Sequence, residues 1–208
     1  MQHGDADIPR PARPRPSGTP CLGGRRMRGR QLVMMGLLSA VAFLLMATVQ
    51  LPILPQAPFL KYDPSDAAGL LAGVMYGPAA GVLVVLVKDI LFLLFRARGP
   101  FGPLADFIAA STFVAVTAWA YRRRSGPFVR RMVGAALVGT AARVLVMIPA
   151  NFVILYLEFG MPPGKVAGLL LPAIVPFNAT KAAINAVLAL VVADPLARYV
   201  PLVAPADR

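Results

Sequence analysis

The chain is 208 residues long, with 58% hydrophobic residues, 14% charged residues and a mean hydropathy of +0.69. This composition excludes an ordinary soluble domain, because a soluble chain of this size does not carry so much apolar surface. The formal net charge is +12, and most of the excess comes from arginines in the first thirty residues and in one internal loop. Both basic clusters flank apolar segments and lack interleaved aromatic residues, which is typical of membrane-protein loops and not of a nucleic-acid-binding surface.

The apolar segments predict an all-α membrane protein built as a bundle of six transmembrane helices. A basic, proline-rich segment at 1–30 comes first, and we expect it to be disordered. The membrane domain is predicted at 31–195, followed by a short cytoplasmic tail at 196–208. The six predicted spans lie at 31–50, 67–76, 79–95, 103–121, 132–157 and 166–192.

The second predicted span is short, since its length covers about half of a bilayer core. We therefore expect this helix to be tilted, kinked or re-entrant. Four prolines within 51–66 exclude a continuous helix before it. Asp66 is its predicted N-cap, and Gly77 with Pro78 predicts a tight reversal after it.

The loop charges predict the orientation of the bundle. An even number of spans places both termini on one side, together with the seven arginines of the first thirty residues and five more at 122–131. Positively charged loops stay in the cytoplasm, so the N- and C-termini are predicted to be cytoplasmic. The opposite, outer loops carry mixed charges and are rich in proline and glycine, which favours a role in ligand binding.

Ionisable residues inside the predicted spans are candidates for function, because a charge at mid-span costs about 3 kcal/mol on insertion scales. Lys88 and Asp89 lie in the third span, Arg143 in the fifth and Lys181 in the sixth. All four must face the bundle interior. The alternative to a binding role is that such groups hold the helices together or pair with each other, for example Lys181 with Asp89.

One face of the sixth span combines two amides with an ammonium group. Asn178, Lys181 and Asn185 are spaced at i, i+3 and i+7 and therefore share a helical face. Asn151 in the fifth span is expected to face Asn178 across the bundle. Two opposed amides offer donors and acceptors together, which suits the alternating polar edge of a flat heterocycle.

Two further features favour a ligand site in this region. Pro172 and Pro176 predict an interrupted sixth helix, which leaves backbone carbonyls near the site without their usual partners. Aromatic side chains are available to sandwich a planar ring, although packing against helices or lipid is the alternative for each of them. These side chains are Phe59, Phe92, Phe101, Phe107 and Phe177.

Small residues on the first span predict a surface for close helix approach. Gly36 and Ala40 form a small-xxx-small pair, and Ser39 lies beside them. A strip of this kind suits docking to another membrane subunit.

The sequence lacks the common motifs of catalysis and of energy coupling. It has no GxxxxGK[ST] segment for nucleotide phosphates, no HExxH zinc motif and no nucleophile elbow. The single cysteine, Cys21, and the single histidine, His3, exclude an internal disulfide and a zinc site built from these residue types. We therefore predict a protein that is not an enzyme, has no metal or cofactor, and does not energise transport alone.

Several motifs together carry a resemblance to a known family. They are FLKYDPSD at 59–66, Gly77-Pro78, the third span with Lys88, the segment 99–107, Asn151, and Pro176-Phe177-Asn178 with Lys181. In this combination, over about residues 31–195, the chain resembles the riboflavin-type substrate-binding (S) subunits of energy-coupling factor (ECF) transporters.

The resemblance implies a multi-pass protein of the bacterial cell membrane that captures riboflavin, or its phosphate FMN, from outside at high affinity. Its partners would be a transmembrane coupling (T) subunit and two ATP-binding (A) subunits. The candidate ligand-binding residues are Asn151, Asn178, Lys181, Asn185, Lys88, Phe59, Leu60 and Asp66. The segment 59–66 would close the pocket, and the strip of Gly36, Ser39 and Ala40 would meet the coupling subunit.

Two alternatives stay open. In the first, the ligand is another vitamin, such as thiamine, pantothenate or a precursor, because members of the family share one scaffold but have different binding pockets. In the second, which belongs to a different functional class, the chain is a small membrane protein without a transport role. Asp89 and Asp106 stand where relatives often carry asparagine, and these carboxylates would repel a phosphate unless Arg96 or Arg98 offsets them.

Overall fold

The computed structural model describes residues 29–55 and 57–199, so the predicted tails at 1–30 and 196–208 lie largely outside the described part of the chain. Residues 29–30 and 196–199 are described, and they are helical instead of belonging to a tail. Within that part, helices dominate and a single short hairpin interrupts them. In chain order the elements are α1 (Gly29–Thr48), β1 (Leu51–Pro52), β2 (Lys61–Tyr62), α2 (Asp66–Tyr76), α3 (Pro78–Phe95), α4 (Phe101–Arg122), α5 (Phe128–Phe159), α6 (Pro163–Leu169), a π-helical segment (Leu170–Ile174) and α7 (Val175–Tyr199).

The predicted all-α bundle is confirmed. Five helical runs are long and apolar enough to cross a membrane: α1, α3, α4, α5, and the continuous run of α6, the π-helical segment and α7. The remaining helix, α2, has 11 residues and is about 16 Å long, in agreement with the short second span. The reversal at Gly77 is also present, with a φ of 115° that favours glycine.

The segment between α1 and α2 forms a small hairpin that the sequence did not predict. Strands β1 and β2 are antiparallel, with Leu51 opposite Tyr62 and Pro52 opposite Lys61. The prolines exclude a helix here, as expected. Both strands of a two-stranded sheet are edge strands, and Pro52 is tolerated in such a strand. The hairpin returns the chain to the bundle, where α2 begins four residues after Tyr62.

The prediction that Asp66 is the N-cap of α2 is wrong. Ser65 precedes the helix, Asp66 is its first helical residue, and no side chain from the cap position bonds the first turn. The Asp66 carboxylate instead binds Lys88 and Arg143. A buried carboxylate gains more from two cations than from one backbone amide, which explains why the local capping rule fails here.

Helix α2 is the centre of the bundle. Every residue from Asp66 to Val74 is buried, and α2 packs against α1, α3, α4 and α7. The contact with α3 is close because Gly81 faces the α2 backbone: a Cβ at Gly81 would lie 2.8 Å from the Gly69 carbonyl oxygen and 2.9 Å from the Gly73 Cα. The short, buried helix α2 therefore forms one side of the polar interior of the bundle.

The outer surface of the bundle is apolar. Many leucines and valines on α1, α3, α5 and α7 are more than half exposed, including Val33, Leu94, Leu137 and Val191. In water such a surface would be an aggregation hazard, whereas acyl chains solvate it without cost. The apolar residues thus face outwards and the charged residues of the spans face inwards.

Candidate functional site

Seven ionisable side chains converge in the half of the bundle nearest the hairpin. They come from the segment before α2 and from α2, α3, α4, α5 and α7, and each side chain is at most 11% exposed. We call this set the charge network: Asp63, Asp66, Lys88, Asp89, Asp106, Arg143 and Lys181. The prediction that Lys88, Asp89, Arg143 and Lys181 face the interior is therefore confirmed.

Asp106 on α4 joins two lysines from other helices. Its Oδ2 lies 2.6 Å from the Lys88 Nζ and its Oδ1 lies 2.7 Å from the Lys181 Nζ. One carboxylate therefore binds α3 and α7 to α4. The alternative pairing of Lys181 with Asp89 is not the one observed, since the other close carboxylate of Lys181 is Asp63, at 2.7 Å.

Asp66 joins a second set of helices. Lys88 lies 3.3 Å from its Oδ1, and the Arg143 Nη1 lies 2.7 Å from its Oδ2. The Arg143 Nε also donates to the Asn178 Oδ1 over 3.1 Å. Because these bonds run between α2, α3, α5 and α7, the network fixes the relative positions of the helices as well as neutralising their charges.

Asn185 on α7 caps α2 from outside that helix. Its Oδ1 accepts a hydrogen bond from the Ala67 amide over 3.1 Å, and its Nδ2 donates to the Asp63 carbonyl over 3.2 Å. The Asp63 side chain accepts hydrogen bonds from the Ser65 amide and hydroxyl. A side chain distant in sequence thus satisfies an amide of the first turn, where a local cap was expected.

Tyr62 lies beside this junction and is 8% exposed. Burial is the main cause that raises the pKa of Tyr62 above its ordinary value, and the neighbouring Asp63 carboxylate adds to the effect. The phenol is therefore neutral at physiological pH and available as a hydrogen-bond donor.

Asp89 is the exception in the network. It is 4% exposed, and neither carboxylate oxygen has a hydrogen-bond partner among the described residues. Its closest cation is Lys88, whose Nζ lies 3.5 Å from the Asp89 Oδ1. With all groups ionised, four aspartates face two lysines and one arginine, so the network has a formal excess of one negative charge.

The remaining candidate amide, Asn151, lies apart from the charged pairs. It is 3% exposed, and its Nδ2 donates to the Met147 carbonyl of its own helix over 2.7 Å. Asn178 is 2% exposed, and its Nδ2 likewise donates to the carbonyl of Ile174 over 2.9 Å. Both amides are therefore buried, and Asn178 also contacts the charge network through its hydrogen bond from Arg143.

Phe59 and Leu60 belong to an apolar cluster at the hairpin end of the bundle. They pack with Leu155, Val166 and Ile174, and the Phe59 ring centroid is 5.6 Å from that of a phenylalanine at the end of α5. Ile174 is also the residue whose carbonyl binds Asn178. We call this set the apolar cap, because it lies at the hairpin end of the bundle and contacts Asn178 through Ile174.

The sixth span is interrupted near its prolines, as predicted, but the interruption is a π-helical segment. The ladder changes to a π-helical segment at Leu170–Ile174, which contains Pro172, and returns to α-helix at Val175. A π-helical turn adds a residue and turns the following helix face. The segment therefore sets the direction in which Asn178 and Lys181 project.

Asp63 and Asp106 are the network residues that sequence reasoning did not select for the site. Asp63 lies in a loop and Asp106 lies near the start of the fourth span, so neither carried the cost of a charge at mid-membrane that marked Lys88 or Arg143. A signal was available nonetheless: buried lysines need carboxylates within about 4 Å, and these two aspartates bind Lys181.

The small residues of α1 divide between two faces. Gly36 and Ala40 are exposed, and a Cβ at Gly36 would have no neighbour within 4 Å. Ser39 is 3% exposed, and its hydroxyl donates to the Met35 carbonyl over 2.9 Å. The accessible part of the predicted strip is therefore Gly36 with Ala40, while Ser39 faces the bundle.

A multi-pass helical bundle with charged groups enclosed between its spans is the architecture of membrane transport proteins. Comparison with known proteins defines the family. Residues 30–193 match the family described as ECF transporter, substrate-specific component. The chain belongs to this family, and it is accordingly a transporter component and not an enzyme.

Named relatives and a solved structure agree with this assignment. The riboflavin transporter RibU of Staphylococcus aureus (strain TCH60) is 29% identical over 189 residues, which cover 86% of this chain and 98% of that protein. The riboflavin transporter FmnP of Bacillus subtilis (strain 168) is 32% identical over 166 residues, or 74% and 85% of the two chains. A structure described as "Structure and mechanism of the S component of a bacterial ECF transporter" matches with a TM-score of 0.74 and 29% identity, covering 83% and 98%.

Proposed function

We propose that this S component captures riboflavin on the outer side of a bacterial cell membrane, with both termini in the cytoplasm. The main support is that both relatives described above are riboflavin transporters and that the similarity extends over most of the chain. The arginines at 122–131 lie at the end of the bundle opposite the hairpin, and the positive-inside rule assigns that end to the cytoplasm.

The flavin ring would bind between the charge network and the apolar cap. A flavin has an apolar face and one edge with alternating donors and acceptors. The apolar cap would contact the face, and the polar groups near the charge network would contact the edge. Asn151 and Asn178 provide amides for the polar edge, while Phe59 and Leu60 provide apolar contact. Because both amides are at most 3% exposed, we propose that the 59–66 segment moves when the ligand enters.

The charge of the network favours a neutral ligand over an anionic one. The three cations of the network already have carboxylate partners, so none is left to pair with the phosphate of FMN or the carboxylate of pantothenate, and burying such an anion unpaired is costly. Arg96 does not offset this charge, because its Nη2 donates to the Ala47 carbonyl at the exposed end of α1. Riboflavin is neutral at physiological pH, so we expect it to bind more tightly than FMN.

The test is a titration of the purified protein with riboflavin, followed by quenching of flavin fluorescence. Asn151→Ala removes a side chain whose hydrogen bond in the free protein is to its own helix, so the fold should survive. Losing one hydrogen bond to the ligand should weaken binding about tenfold. Ser39→Ala is the matched control, because Ser39 makes the same kind of i−4 bond on α1.

Two outcomes would contradict the proposal. A wild-type protein that does not quench flavin fluorescence does not capture riboflavin. Equal affinities of Asn151→Ala and Ser39→Ala would mean that flavin binds elsewhere in the chain.

The second candidate ligand is thiamine. The Asp89 carboxyl group accepts no hydrogen bond from the described residues and would gain a partner in a cationic ligand, and thiamine carries a positive charge. Competition between riboflavin, FMN, thiamine and pantothenate in one titration series separates these ligands. Displacement of riboflavin by excess thiamine would favour the second candidate.

We further propose that the chain works with a transmembrane coupling subunit and two ATP-binding subunits, as the family description implies. The exposed pair of Gly36 and Ala40 is the proposed docking strip. Small residues allow a partner helix to approach closely in the membrane, where packing and not hydrophobicity drives association.

A further inference from the structure

An apolar groove lies on the outer surface between α3 and α4, at the end of the bundle opposite the charge network. It has a volume of about 430 Å³ and is lined by Pro78, Ala115, Val116 and Trp119. Pro78 begins α3 and Trp119 lies in the last turn of α4. The groove therefore ends at the level where the helices leave the membrane.

Two guanidinium groups border the groove at this level. The Arg123 Cζ is 4.2 Å from the centroid of the Trp119 ring, and the Arg122 guanidinium lies against the turn before Pro78, with its Nη2 3.2 Å from the position of a Cβ at Gly77. Within residues 29–55 and 57–199, neither guanidinium has a carboxylate or carbonyl partner. Stacking on an indole leaves the edge donors of an arginine free, so both groups can receive an anion.

We propose that this groove binds one anionic phospholipid, with the phosphate held by Arg122 and Arg123 and an acyl chain lying along Ala115, Val116 and Trp119. The apolar lining fits a hydrocarbon chain, and the paired positive charges fit an anionic headgroup and not a zwitterionic one. A tryptophan at the boundary between chain and headgroup is at its preferred depth.

Trp119 provides a direct test, because it is the single tryptophan of the chain and lines the groove. The protein would be placed in phosphatidylcholine nanodiscs that contain a small fraction of a lipid brominated on its acyl chain. In one set of discs the brominated lipid is phosphatidylglycerol, and in the other it is phosphatidylcholine. Bromine quenches tryptophan fluorescence on contact. We expect brominated phosphatidylglycerol to quench Trp119 several-fold more than brominated phosphatidylcholine at the same mole fraction.

Single substitutions identify the headgroup contacts. Arg122→Gln and Arg123→Gln should each lose most of the excess quenching, whereas Arg130→Gln, which removes the same charge from an exposed position at the start of α5, should keep it. Each variant is normalised to its own fluorescence in discs without bromine, because Arg123 itself contacts the indole. Thermal melting of each variant confirms that the fold is intact.

Three results would overturn the proposal. Equal quenching by the two brominated lipids means ordinary contact with the surrounding bilayer. An equal loss in all three arginine variants means that the basic loop attracts anionic lipids without a defined site. Reversal of the excess quenching by inorganic phosphate means that the arginines serve a soluble anion.

Discussion

At the scale of single residues, the charge network is unevenly satisfied. Asp106 contacts two lysines, Asp66 contacts one lysine and one arginine, and Asp63 contacts Lys181 and Ser65, the residue before α2. Asp89 is as well buried, but neither of its oxygens accepts a hydrogen bond from the described residues. A buried carboxylate in this state lowers the stability of the protein.

We predict that Asp89→Asn stabilises the ligand-free protein by about 1–3 kcal/mol, because it replaces a buried carboxyl group that accepts no hydrogen bond from the described residues. Lys88 keeps Asp66, Asp106 and the Ser65 hydroxyl as partners. The measurement is the thermal unfolding midpoint in detergent.

Asp106→Asn is the matched comparison for this prediction. It makes the same chemical change but takes the shared carboxylate from Lys88 and Lys181, so we expect a loss of about 3–5 kcal/mol. If the two variants unfolded at the same temperature, the distinction between satisfied and unsatisfied carboxylates would be wrong.

At the scale of the elements, the position of α2 depends on close contact with α3. Gly81 faces the α2 backbone with room for no side chain: a Cβ there would meet the Val114 Cγ1 of α4 first, and then the Gly69 carbonyl oxygen and the Gly73 Cα of α2. Backbone atoms cannot move aside as a flexible side chain can. Since Asp66 lies on α2 and Lys88 on α3, the same contact sets the distance between these two partners.

We predict that Gly81→Ala destabilises the protein by about 1–3 kcal/mol, because the added methyl group separates α2 from α3. Gly36→Ala is the control: it is also a helical glycine, but its Cβ would meet no atom within 4 Å. Its unfolding midpoint should equal or exceed that of the wild type. A Gly81→Ala protein as stable as Gly36→Ala would show that α2 and α3 pack less closely than described.

At the scale of the whole molecule, the proposed ligand site and the proposed docking strip are separate. The charge network draws on α2, α3, α4, α5 and α7, while α1 packs at the edge of the bundle against α2 and α3. The exposed face of α1, with Val33, Leu37 and Leu44, is apolar. The proposals for ligand capture and for association with a coupling subunit therefore involve different surfaces.

We predict that Ala40→Leu blocks association with the coupling subunit and leaves ligand binding unchanged, because the larger side chain stands on the outer face of α1. Co-purification with the coupling subunit measures the first property, and the flavin titration measures the second. Ala141→Leu introduces the same side chain at an exposed alanine of α5 and should associate normally. If Ala40→Leu associated normally with the coupling subunit, the docking surface would not be this strip.

Part of the candidate site was predictable because the cost of a charge in a membrane depends on the residue alone. Lys88, Asp89, Arg143 and Lys181 were identified as interior residues on this ground, and the structure buries all four. Their partners were not predictable in the same way. Asp63 lies in a loop where a charge costs little, and its bond to Lys181 joins residues 118 positions apart.

The sequence by itself determined the helical spans, the short second helix, the reversal at Gly77 and the interior position of the charged residues. Each of these follows from local hydropathy or local backbone preference, which the bilayer makes decisive. The tertiary structure alone decided which carboxylate meets which cation, that Asn185 caps α2, and that Asp89 lacks a hydrogen-bond partner within the described residues. These features depend on how helices distant in sequence are rotated and spaced, and no local preference specifies that arrangement.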